Sequence, residues 1–311
     1  MNQPTFFRLP LLFVLSYLLI MMGNLIINIY PQVSDNGTTI SLWNYLSPVL
    51  GHHFIQMTGQ FALVSLFLYH TRITLLNRKS VLGIIGLAIF LYAINYALAM
   101  LKMTVIRSVL QDYSPDKFDF SLLIKLVSLA DLLIYLVSFL VLYLAVRLAA
   151  DRYIKNTQPF LLTAETSPVI YGVLFSTGMM YLMWLISLCA FSMIAGDLPG
   201  ISPKMLTQSA LSVAINLVIS GGVIFLCVRK IFPVKESGLR VRELTISVIT
   251  TVILSIVLMI AIAAIFIFIM MGDNFYLSAV KLENGFIGCA VVSAVFILWL
   301  SRKIIRFVFR I

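Results

Sequence analysis

The 311 residues are 61% hydrophobic and only 11% charged, with a mean hydropathy of +1.05, a balance that excludes an ordinary water-soluble globular domain. The formal net charge of +10 does not indicate a nucleic-acid binder, because the basic residues form short clusters between apolar runs, where they set membrane orientation. Cys189, Cys227 and Cys289 all fall inside apolar runs without paired spacing, which signals neither a disulfide framework nor a zinc site.

The expected fold class is therefore all-α, a polytopic integral membrane helix bundle of about eight transmembrane helices, each needing ~20 apolar residues. The first span is Leu9 to Tyr30, which reads as a retained signal anchor. Pro31 to Leu50 is an outer loop without Lys or Arg, with Trp43 and Tyr45 suited to the headgroup level. Asn36-Gly37-Thr38 matches a glycosylation acceptor too close to the membrane to carry weight.

Ser47-Pro48 is a helix-start signal for span two, which runs to about Tyr69 and carries His52, Gln56 and Gln60 at fours. Span three runs from Val81 to about Leu101, with Asn95 inside it and Lys102 at its end. The loop Arg107 to Phe120 holds Asp112, Asp116 and Asp119, read as a solvated loop rather than a diphosphate-metal motif. Span four, from Ser121 to Arg147, contains Asp131, the one acid within any of the long apolar runs.

Ser167-Pro168 opens span five, which runs to about Ala195, and Ser202-Pro203 opens span six, where Gln208, Ser212, Asn216 and Ser220 again recur at fours. Span seven is Leu244 to Met271, with Ser247, Thr251 and Ser255 on one side. Span eight is Asn284 to Ser301, with Gly285, Cys289 and Ser293 as a small-residue seam. The tail SRKIIRFVFRI is expected to extend along the inner headgroups.

An ionised Asp131 inside hydrocarbon costs on the order of 2.5–3.5 kcal/mol, so it should face protein or water and have a partner. Lys125 is the tempting partner but not the expected one, because six residues leave the two side chains about 120° apart around the helix. Ser128, Asp131, Tyr135 and Ser138 share a face that should turn toward other helices, so the cation is expected from one of them, with Lys102 at a plausible depth. A helix starting at Ser121 puts Asp131 ~15 Å in, near the midplane; a boundary at Lys125 puts it only ~9 Å in.

Shifting the chain by half its length brings Ser47-Pro48 onto Ser202-Pro203 and Arg147 onto Arg302. This registers a first four-helix half, residues 1–155, on a second, residues 156–311, as a parallel repeat. With both termini cytoplasmic, sixteen of the 22 Lys and Arg fall inside, the bias of the positive-inside rule. The expected location is the bacterial cytoplasmic (inner) membrane.

No HExxH, GxSxG or nucleophile-base pair is present, and His52 and His53 lie on one helix, so neither an enzyme nor a haem or other cofactor is expected. Two classes remain. One is a carrier or permease for a small, mostly uncharged or amphiphilic solute, its pathway lined by Asp131, Lys102, Asn95, Gln56, Gln60, Gln208, Ser212 and Asn216. The other is a non-transporting accessory, assembly or immunity-type protein that binds another membrane protein. The expected partners are the lipid bilayer and another membrane protein or a second copy, with no nucleic acid.

Overall fold

The computed structural model describes residues 6–35, 42–112, 120–153, 160, 162–195, 219–232, 238–272 and 279–310. Among these there are helices and connecting turns but no strand. The helices are α1 (Arg8–Asp35), α2 (Leu42–His70), α3 (Arg78–Asp112), α4 (Phe120–Arg152), α5 (Thr166–Ala195), α6 (Ile219–Val228), α7 (Val241–Gly272) and α8 (Ala279–Phe309). Five of them, α1, α3, α4, α5 and α7, are long and apolar enough to cross a membrane. Large apolar side chains also face outward, with Leu19 72% and Phe268 80% exposed, the surface of a protein built for a lipid solvent rather than water.

The helices outrun the expected spans. α1 continues through Pro31 to Asp35, into the segment expected as an outer loop, and α2 begins at Leu42, so Ser47-Pro48 lies inside it rather than at its start. α3 is 35 residues long and continues past Lys102 to Asp112, which puts Lys102 within the helix instead of at its end. Past Lys102 the sequence has no glycine or proline before Pro115, so nothing in it ends the hydrogen-bond ladder there, while Pro31 and Pro48 sit near helix ends, where a proline costs least.

The helix ends that face the basic clusters are set by side chains and by special backbone. Asn77 Oδ1 accepts from the Ser80 N–H at 2.7 Å and caps α3. Arg72 follows α2 at φ 59°, and the Ile73 and Arg72 N–H groups return to the Leu68 and Tyr69 carbonyls at 2.9 and 3.1 Å, a Schellman closure with arginine in the usual glycine position. For α5, the Thr163 and Thr166 backbone N–H groups each donate to the other's hydroxyl, at 3.0 and 3.2 Å, so the cap stands ahead of the expected Ser167-Pro168 start.

The chain divides into two compact units, Met1–Phe160 with Trp184–Leu217, and Leu161–Met183 with Val218–Ile311. In the first, α1 packs on α2 and α3, and α4 packs on α3 and α2. α1 buries Leu9, Phe13, Tyr17 and Met21, one every fourth residue, and leaves Leu11, Leu15 and Leu19 outside. Opposite that stripe lie Val64 and Leu68 of α2, Ile84, Ala88 and Leu91 of α3, and Leu142 and Val146 of α4.

In the second unit α7 pairs with α8. Tyr171 and Phe175 of α5 meet Phe232 and Phe309 in one aromatic cluster, with centroids 5.2 to 5.9 Å apart. The Tyr171 hydroxyl accepts from the Arg240 N–H at 2.7 Å. Gly172 and Gly221 let α5 and α6 close on each other: a Cβ at Gly172 would lie 3.0 Å from Phe225, and one at Gly221 would lie 1.8 Å from Met180 Sδ. The terminal SRKIIRFVFRI is the last part of α8, which runs to Phe309. Its Ile304, Ile305 and Phe309 are buried while Arg302, Lys303 and Arg306 are exposed.

Candidate functional site

The site is built on the antiparallel pair α3 and α4. Two polar links cross it, Asn95 to Ser138 and Lys102 to Asp131, one heptad further along α3 and one heptad back along α4. The same register sets Ala88 level with Ala145. Small residues therefore occupy one level of the seam, neutral hydrogen-bonding groups the next, and opposite charges the third.

At the charged level, Lys102 Nζ donates to Asp131 Oδ1 at 2.6 Å. The cation for Asp131 thus comes from the neighbouring helix. The side chains stay 20% and 36% exposed, so the pair is neither fully desolvated nor fully hydrated. Around it, a groove of about 450 Å³ runs between the two helices, with Leu98, Leu101, Leu129, Leu133 and Ile134 among its walls and Lys102 as its one charged wall residue. Leu101, Leu129 and Leu133 are themselves exposed, which places the groove on the outer face of the helix pair.

At the neutral level three helices are tied together. Asn95 Nδ2 donates to the Tyr17 hydroxyl of α1 at 3.0 Å, and the Ser138 hydroxyl bonds both to Asn95 Oδ1 and, at 2.7 Å, to the Ile134 carbonyl. Gln60 of α2 reaches the same Tyr17 hydroxyl, so all four helices of this unit contribute to one node. Gln60 is 1% exposed, and its Oε1 has no hydrogen-bond partner among the described residues. Gln56, one turn earlier, is engaged on its own helix, where its Oε1 meets His53 Nδ1 at 3.2 Å.

Of the residues singled out from the sequence, Asn95 and Gln60 converge in the node and Lys102 and Asp131 in the ion pair, while Gln56 turns to His53. Gln208, Ser212 and Asn216 lie outside the described residues, as do Asn36-Gly37-Thr38, Asp116, Asp119 and the Ser202-Pro203 signal that anchored the repeat. Tyr17 was missed. Its signal was a phenol in the middle of an apolar span, where the hydroxyl needs a partner from another helix.

No protein-family profile, curated protein or solved structure matches the chain. The class is accordingly defined by the fold alone: an all-helical protein whose apolar helices point to a membrane.

Proposed function

We propose that the chain is a multi-pass carrier or permease-like protein of the cytoplasmic (inner) membrane that handles a small, mostly uncharged or amphiphilic solute. It spans the membrane eight times with both termini cytoplasmic. The observation that carries this reading is the Lys102–Asp131 pair between two long apolar helices, with Lys102 at the wall of an otherwise apolar groove. A charge pair at a hydrocarbon surface is costly to keep, and intramembrane charges mark substrate or ion paths more often than they serve packing.

The register gives the pair its depth in this reading. Measured from the basic end of α3 at Arg78, Lys102 is ~36 Å along the axis at ~1.5 Å per residue. In a bilayer of ~40–45 Å including headgroups this is the outer boundary of the hydrocarbon, not the midplane. On this reading a solute arriving from the outer leaflet meets the pair before the Asn95–Tyr17–Gln60 node, where Gln60 Oε1 has no partner among the described residues. The eight-span count and the two halves, 1–155 and 156–311, belong to this proposal, as does a pathway share for Gln208, Ser212 and Asn216.

A second reading, an accessory or assembly protein, draws on the node itself. Asn95, Tyr17 and Ser138 satisfy one another across three helices, which is what interhelical glue does. The experiment that separates the two reconstitutes the full chain in liposomes and follows entry of a short-chain fluorescent acyl amphiphile by external dithionite quenching. Asp131→Asn is expected to abolish flux while the protein still inserts and keeps its helical circular dichroism. A variant that fails to fold, beside a wild type without flux, would assign the pair to the scaffold.

A further inference from the structure

We propose that the Tyr17 and Gln60 side of the four-helix node is a binding site for one neutral hydroxyl group, that of a water molecule or of the shortest alcohols, which accepts the Tyr17 O–H and donates to Gln60 Oε1. The inference goes beyond the carrier reading and does not rest on it.

Ser138 bonds to Asn95 Oδ1, which leaves Asn95 Nδ2 to donate to the Tyr17 oxygen at 3.0 Å. Gln60 bonds to the same hydroxyl, and because its Oε1 has no partner among the described residues, that bond comes from Nε2, which can only donate. Two N–H groups therefore converge on the phenol oxygen and occupy both of its lone pairs. Two groups remain over: the Tyr17 hydroxyl hydrogen, which has no acceptor among the described residues, and the Gln60 carbonyl oxygen, which has no donor.

The two lie close together. Nε2 and Oε1 are the ends of one carboxamide, so the unpaired acceptor is within about two hydrogen-bond lengths, ~6 Å, of the phenol oxygen. A single oxygen between them can make both bonds. Turning the Gln60 amide over does not remove the need, since Oε1 would then take the Tyr17 hydrogen and leave Nε2 unpaired. A hydroxyl, donor and acceptor at once, serves either orientation, whereas a carbonyl or an ammonium serves only one. A charged occupant would find no counterion, because Lys102 and Asp131, one heptad away, already hold each other.

Burial sets the size of the occupant. Tyr17 is 3% and Gln60 1% exposed, and the Tyr92 ring stands edge-on to Tyr17 at 5.7 Å. Such a place admits water or an alcohol of one or two carbons. Buried polar groups are almost always bonded, and an internal water is the usual partner where no side chain reaches. The bound hydroxyl would give Gln60 of α2 a second tie to α1, beside the direct bond to Tyr17.

The test is water-edited solid-state NMR of the full chain in liposomes with 15N-labelled glutamine, which reads magnetisation passing from water to each side-chain amide. The Gln60 signal, assigned by its loss in Q60M, is expected to receive magnetisation from water although the residue is buried. In Y17F, which removes one of the two partners, the transfer should fall while the helical circular dichroism persists. Where Y17F does not fold, the wild-type measurement decides alone.

A second titration with 13C-labelled methanol separates the two sources. Contact between the methanol methyl group and the Gln60 amide shows that alcohols enter the site; water transfer without that contact makes water its sole occupant. A Gln60 amide that receives magnetisation from neither, or a water signal undiminished in Y17F, overturns the proposal. Amphiphile flux with a dry Gln60 removes this proposal and leaves the carrier reading standing; a hydrated Gln60 without flux does the reverse.

Discussion

Lys102 and Asp131 meet at 2.6 Å at the same level of an antiparallel helix pair, one heptad beyond the level at which Asn95 meets Ser138. Each partner makes the other tolerable in an apolar setting, so removing one is worse than removing both. Asp131→Asn or Lys102→Met alone is expected to destabilise the protein by about 1–2 kcal/mol, between the values for exposed and buried pairs. The double variant K102M/D131N should recover most of that loss in detergent-unfolding curves read by circular dichroism.

The node at Asn95 makes a different prediction, because its groups are neutral and shared among three helices. Asn95→Leu removes the bonds to Tyr17 and Ser138 together and should cost about 1–4 kcal/mol, at ~0.6–2 kcal/mol for each membrane-embedded bond. Ser138→Ala should cost less than Asn95→Leu. It leaves the Asn95–Tyr17 bond in place and frees an Ile134 carbonyl that keeps its helical partner. Unfolding midpoints of the two variants, compared in one detergent, check the order.

Two adjacent glycines of α6 should respond oppositely to substitution. A Cβ at Gly221 would press on Met180 Sδ and Cγ, at 1.8 and 2.9 Å, whereas at Gly222 nothing lies within 4 Å. Gly221→Val is expected to destabilise by about 1–3 kcal/mol through overpacking, and Gly222→Val to stay within about 0.5 kcal/mol. Equal thermal-denaturation temperatures for the two variants would contradict the α5/α6 approach.

The aromatic cluster of the second unit should carry a large share of that unit's stability. Phe232 is 1% exposed and touches Tyr171, Phe175 and Phe309, so Phe232→Ala should cost about 3–5 kcal/mol. Phe307, two positions from Phe309 but 85% exposed, should tolerate alanine within about 0.5 kcal/mol. Tyr171→Phe should lose about 1 kcal/mol with the Arg240 N–H bond. Yields of folded, monodisperse protein and denaturation midpoints report all three.

Much of the helix inventory was legible from hydropathy, because a run too apolar for water has few folds open to it once every backbone group must bond within its own segment. The ends were less legible. Pro31, Ser47-Pro48 and Lys102 look like terminators by the rules of soluble helices, yet α1, α2 and α3 run past them. In a soluble protein the hydrophobic stripe would also reveal the buried face. Here it does not, since α1 is apolar all round and only packing distinguishes Phe13 from Leu15.

By itself, then, the sequence determined the all-helical class, the membrane-suited composition, and the requirement that Asp131 receive a cation from another helix. Hydrocarbon imposes these through the cost of an unpaired charge or backbone group, which depends on residue type and not on arrangement. Only the tertiary structure decided that α3 and α4 pair in the register that brings Lys102 to that acid, that Tyr17 joins Asn95, Gln60 and Ser138, and that a groove lies beside the pair. Register arises from side chains of two helices interlocking at close range, and no single helix carries that information.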